Sequence, residues 1–455
     1  MSIDLHGFPF WTLEFEKDAS AVDAGALNAF VDEVAAQRLT DLYVFSHGWN
    51  NDRSTALDLY GRYFDEMRKI VDARGLPASI GVAGVVWPSI LWPDDAAASA
   101  RTDVQVPPMT GGAVSMGSGP PPPIATASLE DIRAALSRGY RSPEQQAIIA
   151  DLVALLAERG PSDESLQKFQ QTLQRLLASE RGGAVNDKRN PDSADGAVGD
   201  MPYKKFRGLL DTLGHQMRQP GGGGAVGLLD GLEKIWDGAK DVLRVATYWQ
   251  MKERAGVVGR EGLGPLIQRL HERSPGTRVH LIGHSFGARL VSNALAGLPA
   301  TAVGGASPVK SLLLLQGAFS HFAFADVLPQ DPSRSGALKG MSARVDGPLL
   351  ATHSLRDLAV GRAYPAASFV NGDDAAAAQD QVSRWGGMGS DGAQAVDAQH
   401  VLLGDVGTVY PFQPGKWINL DGNQVIVHGG LPSGAHSDIV HPHTAWVALA
   451  AAKIV

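Results

Sequence analysis

Gly283-His284-Ser285-Phe286-Gly287 is the pentapeptide whose residue types and spacing carry chemistry most directly. It follows Arg278-Val279-His280-Leu281-Ile282, a strand-like run, and precedes Ala288-Arg289-Leu290-Val291-Ser292-Asn293-Ala294-Leu295, which reads as a helix. Two glycines around a serine at a strand-to-helix junction let the backbone turn sharply and present the Ser285 hydroxyl at the carboxyl edge of a sheet. The helix start then brings the Phe286 N–H beside any oxyanion formed where that hydroxyl attacks a carbonyl. A serine alone is a poor nucleophile near neutral pH. It needs an adjacent base, itself oriented by a third group.

The elements that must position these groups alternate short apolar runs with helical patterns, the βαβ signature of a mostly parallel sheet. Strands are predicted at Phe10 to Phe15, Asp41 to Ser46, Ser79 to Trp87, Thr277 to Gly283, Val309 to Gly317, Pro348 to His353 and Gln424 to His428. Several are continuous apolar runs, as a sheet covered on both faces requires. After Ser46, Asp52 is placed to cap a helix whose Leu57, Tyr60, Phe64, Met67 and Ile70 recur at steps of three and four. From about Trp92 to Ala246 strand patterns give way to helices and low-complexity turns, so the chain divides into core (1–92), helical insertion (93–245) and core (246–455). Within the insertion, Ser142-Pro143-Glu144-Gln145 offers an N-cap, a proline at N1 and a capping-box partner, with Gly160 available to close the helix. Leu228, Leu232, Ile235, Trp236, Ala239, Val242 and Leu243 form an apolar stripe that either packs on the body of the protein or serves as a lid over a cleft. A second irregular stretch covers Ala366 to Gln413.

On the Ser285 motif, the preceding Tyr43-Val44-Phe45-Ser46-His47-Gly48-Trp49-Asn50 and their order, the chain resembles the α/β-hydrolase superfamily of lipases, esterases and related serine hydrolases. The resemblance covers residues 8–92 and 246–455 and does not reach the insertion. It implies an α/β-hydrolase fold, with a mostly parallel sheet flanked by helices and a large helical insertion. It also implies a second oxyanion N–H from Trp49 or Gly48, with His47 holding that loop. In this superfamily the acid and then the histidine follow the serine. Asp357, in the turn after Pro348 to His353, sits where the acid is expected, with Asp326 and Asp346 as rivals. For the base, His428 closes a predicted strand and lies too near the sheet, while His441 beside Pro442 reads as a cap. His436, in Pro432-Ser433-Gly434-Ala435-His436-Ser437-Asp438, occupies the loop where the superfamily's histidine resides. His443 is the remaining choice. Trp87, Trp92 and His284 are assigned to the substrate side of the site.

Composition narrows the reading further. Of 455 residues, 44% are hydrophobic and 19% charged, with a formal charge of -8 and no basic block, which argues against nucleic acid as a partner. With no cysteine, disulfides, cysteine-ligated zinc and thiol nucleophiles are excluded. His441-Pro442-His443 lacks an accompanying carboxylate cluster, so neither metal nor cofactor is expected. No apolar stretch approaches the roughly 20 residues of a membrane span. The Met1-Ser2-Ile3-Asp4 start lacks the pattern of a signal peptide and suggests a cytoplasmic protein, non-classical export aside. Arginine and alanine usage suggests a GC-rich bacterial source. The expectation is a serine hydrolase acting on small-molecule or lipid-like carboxylic esters. The alternatives are a lipase or phospholipase effector acting on membranes, and a hydrolase-like binding protein without turnover.

Overall fold

The computed structural model describes residues 1–49, 51–76, 79–90, 104–106, 128–160, 162–179, 251–363, 386–430 and 433–454, with scattered helical positions between 202 and 250. A nine-stranded sheet runs through the molecule, built from β1 (Ile3–Leu5), β2 (Phe8–Glu14), β3 (Asp41–Ser46), β4 (Ile80–Val86), β5 (Arg278–His284), β6 (Val309–Leu315), β7 (Leu349–His353), β8 (Ala398–Leu402) and β9 (Trp417–Asp421). The spatial order is β1-β2-β4-β3-β5-β6-β7-β9-β8. Only β1 pairs antiparallel, so the other strands end at one common edge.

The side-chain period of two explains how both faces are covered. Leu42 and Val44 of β3 join the apolar cluster on one face, and Tyr43 and Phe45 join the other. The first cluster takes Leu27 and Phe30 from α1 (Ala24–Gln37), and the second takes Tyr60, Phe64 and Met67 from α2 (Arg53–Arg74). Asp52 caps α2, accepting the Thr55 N–H. The insertion contributes α3 (Leu129–Gly139), α4 (Pro143–Glu158) and α5 (Asp163–Ala178). Ser142 and Gln145 form the expected capping box on α4, but the helix is closed by Arg159 in the left-handed conformation (φ 45), one residue before Gly160. The core continues through α6 (Gly264–Arg273), α7 (Phe286–Ala296), the short α8 (Met388–Asp391) and the terminal α9 (Pro442–Ala451).

Two expectations need correction. Gln424 to His428 is not a strand: Val425 and Ile426 donate to Gly422 O, coiling the run into turns while Ile426 and Val427 stay buried. The strands at that side are β9, outside the predicted set, and β8, inside the stretch read as irregular. Of the apolar stripe, Trp236, Ala239, Val242 and Leu243 are buried in the cluster that holds α3 to α5, with Trp236 Nε1 donating to Gly160 O at 3.0 Å. Leu228, Leu232 and Ile235 lie outside the described residues, as do residues 91–103, 107–127, 211–227 and 364–385.

Candidate active site

Ser285 follows the last residue of β5 and caps α7 with φ 57 and ψ −121. A non-glycine residue with this left-handed φ is strained by about 1–3 kcal/mol and persists only where its surroundings over-determine it. Here Ser285 N–H donates to Leu315 O at 3.1 Å, while its carbonyl accepts from Ala288 (3.1 Å) and Ala318 (3.2 Å). The strained residue of the turn is therefore the serine itself. Gly287 serves close approach instead: a Cβ there would lie 2.0 Å from Ser46 O, so any side chain would push α7 off β3.

The Ser285 Oγ lies 2.8 Å from His436 Nε2, and His436 Nδ1 lies 2.8 Å from Asp357 Oδ2. A carboxylate only accepts, so neutral His436 carries its hydrogen on Nδ1 and Nε2 accepts from the Ser285 hydroxyl. The Asp357 side chain is fully buried, and its oxygens accept from Val360 N–H (2.9 Å) and Gln316 Nε2 (2.9 Å) as well as from His436. The two loops are joined by a bridge between Asp357 and Gly434, with Leu358 N–H donating to Ser433 O and Ala435 N–H to Arg356 O. Gly434 makes this docking feasible: its φ is 62, and a Cβ would meet Arg356 O at 2.5 Å. Just past His436, Asp438 accepts from the backbone N–H groups of Val427 and His428, both at 2.8 Å. Burial pushes its carboxyl upward, yet the hydrogen bonds from His441 and the two backbone donors win and hold it below the usual range.

The loop after β3 lies directly against the serine, since a Cβ on Gly48 would stand 2.4 Å from Ser285 Cβ and 3.0 Å from its Oγ. The Trp49 and Phe286 rings are 6.2 Å apart. His47 stiffens the loop, with Nδ1–H donating to Gly48 O at 2.8 Å and Nε2 accepting from Trp87 N–H at 3.4 Å. Burial lowers its pKa to about 4, so it stays neutral at physiological pH. No family model, curated protein or solved structure matches the chain.

Two substrate-side assignments change. Trp87 is 2% exposed, stacks on His47 at 5.4 Å and donates its Nε1–H to His47 O at 3.1 Å, so it supports the loop. His284 lies behind His436, where its Nε2–H donates to the His436 carbonyl at 2.9 Å and the rings are 5.0 Å apart. Burial, reinforced by His436, lowers its pKa to about 3. Trp92 lies outside the described residues. The rivals lie elsewhere. Asp346 pairs with Lys310 at 2.7 Å, and Asp326 is exposed. His441 caps α9 and bonds Asp438, His428 faces Asp438, and His443 pairs with Asp405 at 2.9 Å. Among the described residues no group of three or more His, Cys, Asp or Glu is arranged to hold a metal ion.

Sequence reasoning passed over Gln316 and Asp438. The signal for Gln316 was a lone amide ending the apolar run Leu312-Leu313-Leu314-Leu315, since a buried polar group needs partners. Nothing local says which partners.

Proposed function

We propose that the protein is a serine hydrolase of the α/β-hydrolase kind that cleaves carboxylic esters through an acyl-enzyme. The observation that carries this reading is the chain from Ser285 Oγ through His436 to Asp357, with both links at 2.8 Å, beginning on a strained strand-to-helix turn. In the reaction His436 Nε2 takes the Ser285 proton as Oγ attacks the ester carbonyl. The imidazolium so formed faces Asp357, whose other described hydrogen-bond donors are neutral N–H groups, so the new positive charge finds an uncompensated carboxylate. The N–H groups of Phe286, at the start of α7, and of Trp49, in the loop against Ser285, are assigned to the oxyanion. His436 then protonates the leaving alcohol, activates water against the acyl-enzyme and returns the proton to Ser285 as the acid leaves. Ester preference comes from the resemblance of the motifs.

The test is hydrolysis of chromogenic acyl esters of increasing chain length by the wild type and by Ser285→Ala. Loss of kcat by about 10⁴-fold or more is expected, in line with other enzymes of this chemistry. Equal rates in both proteins would remove Ser285 as nucleophile.

A further inference from the structure

Gln316 sits one residue beyond β6 with φ 47, a left-handed conformation that a side chain disfavours, and its side chain is fully buried. Its backbone N–H donates to Thr352 Oγ1 at 3.0 Å, and the Thr352 hydroxyl in turn donates to Gln316 Oε1 at 3.0 Å. That fixes the carboxamide. Nε2 then donates to Asp357 Oδ2 at 2.9 Å and to Gly389 O at 3.0 Å. Turned over, the amide would set its oxygen against a carboxylate and a carbonyl, with no donor for either.

We infer that Gln316 is a positioning residue for the hydrolytic site: its clamped carboxamide fixes the plane of the Asp357 carboxylate and, through it, the aim of His436 at Ser285. The inference rests on the hydrolase reading above. Asp357 Oδ2 is shared between the Gln316 and His436 donors, while Oδ1 is held by Val360 N–H. Without Gln316 the carboxylate can rotate toward Val360 and lead the imidazole away from Oγ. A strained backbone at a buried residue with both side-chain polar atoms engaged is the pattern of a position kept for a specific geometry. The titratable groups facing the carboxamide are Asp357 and, beyond it, His436; Asp391 on the neighbouring α8 is bonded to His321 Nδ1.

The test compares wild type, Ser285→Ala, Gln316→Met and Gln316→Glu in ester hydrolysis across pH and in labelling by a fluorophosphonate, with unfolding midpoints measured in parallel. Gln316→Met removes the donor and should lower kcat on the order of 10- to 100-fold, as supporting partners do elsewhere, with KM within about twofold. Gln316→Glu places a second carboxyl beside Asp357. Two such groups share one proton, so the new carboxyl stays protonated into the neutral range and donates as the amide did. It should restore kcat near neutrality and lose it at alkaline pH where the wild type still works. Wild-type kcat and pH profile in Gln316→Met would overturn the inference. So would a Gln316→Glu profile parallel to wild type, which is also the deciding readout should Gln316→Met not fold. A wild type that the fluorophosphonate does not label at Ser285 would overturn the hydrolase reading and this inference with it. Labelled wild type with unaffected Gln316→Met overturns the positioning role alone.

Discussion

Two hydrogen-bonded sets of serine, histidine and aspartate lie at opposite ends of the same parallel strands. At the carboxyl edge are Ser285, His436 and Asp357, joined by two bonds of 2.8 Å. Toward the amino edge, His280 of β5 bonds Ser311 of β6 at 2.9 Å through Nδ1 and Asp41 of β3 at 2.9 Å through Nε2. Composition and distances are nearly the same, and the environments differ in two ways. Ser311 lies within a strand, in register with His280, whereas Ser285 lies on a strained turn at a helix start beside the Gly48 loop. Asp41 also carries the Arg278 guanidinium at 2.6 Å, so its charge is already answered, and burial followed by the Arg278 charge opposes protonation of His280. Asp357 has neutral donors and His436 alone among the described residues. The inner set ties strands together, with Arg278 reaching on to Ala452 O at 3.0 Å. In the outer set no Lys or Arg is among the hydrogen-bond partners of Asp357.

Exchanging the acids is the sharpest way to break this comparison. Asp357→Asn should lower kcat by about 10³- to 10⁴-fold, because His436 loses both its tautomer control and its counter-charge. Asp41→Asn should leave kcat per folded molecule unchanged and cost about 1.5 kcal/mol in denaturant unfolding, since the charge facing the partly exposed Arg278 is lost while an amide oxygen in the same place still accepts from His280. A large kcat loss in Asp41→Asn would erase the distinction. The next effect is pH-dependent. His47 and His284 have folded pKa values of about 4 and about 3, both below the ordinary 6.5. The unfolded chain therefore binds protons that the folded chain refuses. Their contribution to stability is complete above pH 6.5 and declines as pH falls through 6.5 toward 4 and 3, at up to about 1.4 kcal/mol per pH unit for each histidine. Urea unfolding at pH 7.5 and 4.5 reads this slope, and His47→Gln should remove one proton's share. The smallest effect belongs to Ser311→Ala, with about 1 kcal/mol lost for the missing hydrogen bond and no change in kcat.

Much of the sheet was legible because apolar runs mark strands covered on both faces: β3, β4, β6 and β7 fall within predicted segments, and β5 runs one residue past its own. β8 was not legible, since an edge strand with exposed Gln399 and His400 has no apolar run to show. β9 carries Asn419 in mid-strand, a residue that reads as a turn former until its amide is seen bonding Ala393 N–H at 2.8 Å and Ala393 O at 3.0 Å. Gln424 to Val427 has the right residue types for a strand, but Gly422 O takes the Val425 and Ile426 N–H groups and the Asp438 carboxylate takes that of Val427. Within the site, Ser285 stood out from a local pattern of five residues, while His284 and Trp87 were given roles that their burial reassigns to supporting His436 and the Gly48 loop.

The sequence by itself determined what acts over a few residues: the turn at Ser285, the Asp52 and Ser142 caps, and the apolar runs that become strands. These follow from backbone sterics and near-neighbour hydrogen bonds, which need no distant partner. Only the tertiary structure decided which histidine meets Ser285 across 151 residues, which carboxylate meets that histidine across 79, and that Gln316 would clamp the carboxylate. It also decided that Asp41 would spend its charge on Arg278 and Asp357 would keep its own. Such pairings arise only once strand register has brought the sheet edges together, because a hydrogen bond or a charge selects its partner by distance in space and not by position in the chain.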